Sequence, residues 1–119
     1  MLIACALTQD ASARSYKRRV RAVNECKSEK QVSEADADKA RRYFESGMIY
    51  YQTKDYVKAR DEFRTAYEIS NAPDFLVNLA SVSSKLRAYG DAVKYLDQYI
   101  AECPNSPDLA AAIQRRDDM

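Results

Sequence analysis

Apolar or small residues recur at Ala37, Ala40, Phe44, Gly47, Met48 and Tyr51, in steps of three and four that line them up along one stripe of an α-helix. Just ahead of the run, Ser33 can accept an orphan backbone N–H, and Glu34, Asp36 and Asp38 complement the positive end of the helix dipole. The pattern predicts a helix from about Glu34 to Gln52. Helix-start electrostatics explain this carboxylate cluster, so no metal is assigned to it. Thr53-Lys54-Asp55 breaks the period, and a second stripe opens at Tyr56 or Val57 and continues through Ala59, Phe63, Ala66, Tyr67 and Ile69. Residues 43–63 therefore read as the heart of a helical hairpin. Gly47 and Ala59 place a small residue on each helix, which lets the backbones approach closely, while Tyr50 and Phe63 fill the space on either side.

The arrangement returns further along the chain. Ala92 lies 33 residues after Ala59, and with that offset Leu76-x2-Leu79-Ala80-x2-Ser83, Ala92-x3-Leu96 and Pro104 take the matching places. Amphipathic helices alone do not recur at such a period, so the recurrence signals a repeat array. After Pro104, Ser106 as an N-cap with Pro107 at the first helical position predicts one more helix, with Leu109, Ala110 and Ile113 on its apolar face. Its polar residues from Gln114 to Asp118 suit the outer side of a terminal element. Ahead of the first hairpin, Tyr16, Val20, Val23 and Cys26 form a narrow helical stripe within a basic flank over 14–32.

Tyr43-x2-Ser46-Gly47-x2-Tyr50, then Ala59-x3-Phe63, then Ala66, resemble the tetratricopeptide repeat, whose pattern runs aromatic, Leu-Gly, Tyr, Ala, aromatic, Ala at these spacings. Ser46 replaces the Leu, and the closing Pro is displaced to Pro73; in the second copy Ser83 stands where Tyr is expected and Tyr99 where a small residue is. The resemblance implies an all-α fold of antiparallel helical hairpins stacked as a short right-handed α-solenoid. Residues 33–119 would form that domain, with repeats over about 40–73 and 73–106 and a capping helix over about 107–117. It also implies a concave groove, lined by the first helix of each repeat, that holds a peptide or partner segment. Carried over by position, the groove would show Arg41, Phe44, Met48 and Tyr51 from the first repeat, and Val77, Asn78, Ser81 and Lys85 from the second. One subset of the family grips a carboxy-terminal chaperone peptide with Lys, Asn and Arg. Here only Asn78 matches that clamp; Phe44 and Met48 stand at its first positions, and Asp108 and Ala112 where later basic residues would be, so that activity is not supported. Two repeats need their end faces covered, by the terminal helices or by a second copy of the chain as a homo-dimer.

Composition narrows the chemistry. The 119 residues suit one domain, and with two Gly and three Pro the composition favours helices. Nineteen basic and eighteen acidic residues nearly cancel, which argues against general nucleic-acid binding. The basic flank is the local exception at a net +5, from seven basic residues against Glu25 and Glu29. It lacks interleaved aromatics and reads as a solvated face. No apolar run is long enough to span a bilayer. With no His, no CxxC pair and no Gly-rich phosphate loop, neither an enzyme nor a cofactor is expected.

The first residues leave alternatives open. Residues 1–13, with the apolar stretch LIACAL and the small residues Ala11-Ser12-Ala13, fit a signal-peptide remnant or a disordered terminus, and Leu2-Ile3-Ala4-Cys5 resembles a lipobox whose Cys would be acylated. Exported and cytoplasmic locations stand side by side. Cleavage after Ala13 would leave Cys26 and Cys103, an even count that invites a disulfide in an exported protein; in a cytosolic protein the same two residues would be reduced, buried thiols. Two functional readings follow: an adaptor or scaffold that binds a partner segment in its groove, and an envelope-associated component held through Cys5 or the basic flank.

Overall fold

The computed structural model describes Cys26 and residues 32–119. Within this range the chain forms α1 (Glu34–Gln52), α2 (Tyr56–Ser70), α3 (Asp74–Lys85), α4 (Tyr89–Glu102) and α5 (Leu109–Asp117), with no strand among the described residues. Each helix packs on the next, so α1–α2 and α3–α4 are successive antiparallel hairpins and α5 closes the stack against α4. The fold is all-α, built of helical hairpins as the spacing predicts.

Local chemistry sets the helix ends. The Ser33 hydroxyl accepts the Asp36 N–H at 3.1 Å and starts α1. Asn71, in the left-handed region at φ 50°, ends α2 by donating its N–H to the Tyr67 carbonyl at 2.6 Å.

The two hairpin turns repeat each other bond for bond. In the first, Thr53 N–H donates to Ile49 O, Lys54 N–H to Tyr51 O and Asp55 N–H to Tyr50 O; 33 residues later, Leu86 donates to Val82, Arg87 to Ser84 and Ala88 to Ser83, all within 2.8–3.1 Å. Lys54 and Arg87 occupy the same left-handed conformation, at φ 64° and 60°. The turns differ in one cap: the Asp55 carboxylate accepts the Lys58 N–H at 3.4 Å, whereas Ala88 leaves the start of α4 without a side-chain cap.

Packing explains the small residues. A Cβ built on Gly47 would lie 2.7 Å from both Cδ1 and Cε1 of Phe63, closer than carbon atoms tolerate, so only glycine lets the Phe63 ring sit against α1. Around that contact Ala59, Phe63, Leu79 and Val82 form one buried cluster; Leu76, Ala80, Leu96, Tyr99, Cys103 and Ala112 form a second. Helix α3 supplies both, Leu79 and Val82 to the first and Leu76 and Ala80 to the second, so it is apolar around more of its circumference than a surface helix.

The last helix corrects an expectation. It begins at Leu109, with Asp108 at its N-cap position, and not at Pro107 after Ser106. The Ser106 hydroxyl still accepts the Asp108 N–H at 3.2 Å, the bond an N-cap makes two residues on, and it also shares a buried 2.8 Å hydrogen bond with the Tyr99 hydroxyl. This also accounts for Tyr99 at a position where the repeat pattern expects a small residue: its ring joins the second core and its hydroxyl pins the loop that follows α4.

Candidate functional site

Helices α1, α3 and α5 are the alternate members of the stack, and clefts open between them. Met48 and Tyr51 of α1 face Asn78 and Ser81 of α3 across a cleft of about 180 Å³ that reaches the Phe63 ring. A larger cleft of about 470 Å³ lies between α3 and α5. Asp74 and Asn78 line one wall, Asp108 and Arg115 the other, and the buried Leu96 and Tyr99 of α4 form the floor. Asn78 borders both clefts.

The repeat period builds the larger cleft. Asp74 and Asp108 are 34 residues apart, as are Ser81 and Arg115, so α5 takes the place that the first helix of a third hairpin would occupy. The Arg115 guanidinium donates to the Ser81 hydroxyl at 2.7 Å and ties the two walls together at that end. At the other end the two carboxylates have no hydrogen bond or ion pair among the described residues. Burial raises the Asp74 carboxyl above the usual carboxylate range, and the Asp108 charge raises it further. Burial likewise raises the Tyr99 phenol; its bond to Ser106 opposes the shift, and Asp74 and Asp108 add to it. One end of the cleft is thus negative and the other positive.

Of the groove residues read from the sequence, the structure gathers Met48, Tyr51, Val77, Asn78 and Ser81 around these clefts. Three lie elsewhere. Phe44 is half-buried in an aromatic stack, its ring centroid 5.9 Å from Phe63 and 5.6 Å from Phe75, and works as packing. Arg41 is exposed and paired with Asp38 at 3.2 Å, and Lys85 is an exposed residue in the last turn of α3 outside both clefts. Sequence reasoning missed Asp74 and Arg115 as groove residues and gave Asp108 no role of its own; the 34-residue offset was the signal that could have found them.

At the edge of the second core the Sγ atoms of Cys26 and Cys103 are bonded at 2.03 Å across a sequence separation of 77. Cys103 is fully buried, and Cys26 packs half-buried on the same cluster. Residues 1–13, including Cys5, and Tyr16, Val20 and Val23 of the basic flank lie outside the described residues. Among the described residues no helix is long and apolar enough to cross a membrane, and no group of three or more His, Cys, Asp or Glu side chains could hold a metal ion.

Stacked antiparallel hairpins with a groove along their alternate helices define a helical-repeat protein. Residues 40–73 match the family model of the tetratricopeptide repeat, a match consistent with a tetratricopeptide-repeat protein. Proteins of this family are protein–protein interaction modules in general, typically without enzymatic activity. No curated protein matches the chain in sequence.

Proposed function

We propose that this chain is an adaptor that binds an extended segment of a partner protein along the clefts between α1, α3 and α5. The observation that carries the reading is that Met48, Tyr51, Asn78 and Ser81, from two different hairpins, border one cleft. Met48 and Tyr51 supply apolar anchorage there. The Asn78 carboxamide, which makes no hydrogen bond among the described residues, can both donate to and accept from a peptide backbone.

Site-specific photo-crosslinking in cells tests this. A photoreactive phenylalanine analogue in place of Ser81 should capture a defined partner band, and the same group in place of Arg64, exposed on α2, should not. Equal capture from both positions, or capture from position 64 alone, would place the interaction outside the groove.

A further inference from the structure

We propose that the cleft between α3 and α5 takes the cationic side chain of a lysine or arginine in an extended partner peptide, its charge held between Asp74 and Asp108. The proposal rests on the groove reading above and names the chemistry of what the groove selects.

Charge complementarity is the first argument. Asp74 and Asp108 stand one repeat period apart on opposite walls of one cleft, and neither carboxylate has an ion pair or hydrogen bond among the described residues. The two carboxylates repel each other, and a cation between them removes that repulsion. Burial raises the Asp74 carboxyl, and the Asp108 charge raises it further.

Shape and polarity then fix the orientation. Val77 of α3 and Ala111 of α5 line the cleft above the buried Leu96 and Tyr99, so the aliphatic stem of lysine or arginine can lie between them while the charged head reaches the carboxylates at the rim. At the opposite end Arg115 repels a cation, so a basic side chain has one favoured end. Asn78 lies on the α3 wall, where its carboxamide can hold the peptide backbone that presents the side chain. The volume of about 470 Å³ falls within the range of about 300–1,000 Å³ typical of ligand sites.

The test uses the full chain with its disulfide intact and three libraries of extended peptides, degenerate except for a fixed central lysine, norleucine or glutamate. The lysine library should be retained about fivefold better than the norleucine library at low salt, with the advantage shrinking as salt rises. Replacing both acids, Asp74→Asn with Asp108→Asn, should bring the lysine-to-norleucine ratio to about one. Equal retention of lysine and norleucine by the wild-type chain, or a preference that survives the double replacement, overturns the proposal. An Asn78→Arg variant separates this failure from that of the groove reading: if it retains every library as the wild type does, the groove is not where peptides bind, and both readings fall.

Discussion

Replacing Gly47 by alanine sets two effects of known sign against each other. Alanine is the better helix former by about 1 kcal/mol, so the change would stabilise α1 if nothing stood in the way. Phe63 stands in the way. The new Cβ would meet two atoms of its ring at 2.7 Å, roughly 1 Å inside ordinary carbon–carbon contact. The ring has little room to retreat, because Phe63 is 1 % exposed and Phe44 packs against it. Overpacking of this kind costs about 1–3 kcal/mol, so steric strain should outweigh propensity and leave Gly47→Ala less stable by about 1 kcal/mol. Gly90 supplies the control, since a Cβ there meets nothing within 4 Å and the residue lies in the first turn of α4. Gly90→Ala should therefore stabilise by about 0.5 kcal/mol. Urea denaturation followed by circular dichroism should show midpoints moving in opposite directions at unchanged slope. Combining Gly47→Ala with Phe63→Leu should recover part of the loss as a coupling between the two sites. If both glycine variants moved the midpoint the same way by the same amount, the close approach would not be what requires Gly47.

Three other outcomes follow from the described contacts. Ala88→Asp copies the Asp55 cap onto a turn with the same backbone bonds and should stabilise by about 0.5–1 kcal/mol, slightly offset by Asp91 in the same helix turn; an unchanged melting temperature would show that the Asp55 cap contributes nothing. The folded state raises the Asp74 carboxyl, so it disfavours the ionised form, and this cost grows as pH rises through the carboxylate range. Asp74→Asn should accordingly stabilise at neutral pH and lose that gain below about pH 4, which denaturation midpoints at the two pH values will show. Cys26→Ser opens a covalent loop of 77 residues and should cost about 4 kcal/mol on the chain-entropy model; thiol titration of the unfolded, unreduced full chain should find Cys5 alone of its three cysteines, and three free thiols would remove the bridge from the account.

Features governed by neighbours in sequence were the legible ones. The bounds of α1 follow from Ser33 and a stripe with helical period, both local, and the α1–α2 hairpin follows from the break at Thr53-Lys54-Asp55. The Ser106 hydroxyl makes the local bond to the Asp108 N–H that its position predicts, but its second bond, to the distant Tyr99 hydroxyl, is one that periodicity does not register. Phe44 misled for a related reason. It sits on the stripe next to Met48, but Phe75 from the following hairpin meets its ring and draws it into packing. Asp74 and Arg115 escaped notice because α5 looked like a cap; its role as a groove wall emerges only when the repeat period is carried one step past the second hairpin.

The bond between Cys26 and Cys103 changes how tension would travel through this protein. Both hairpins lie inside the loop it closes, so a pull applied to the segments on either side passes from one cysteine to the other and bypasses α1 to α4. Among the described helices α5 alone lies outside the loop, and it would carry the load. It is held to the rest by the packing of Ala112, by Arg115 on Ser81 and by Arg116 on Asp97. A stretched chain would therefore lose a wall of its larger cleft before either hairpin felt the force.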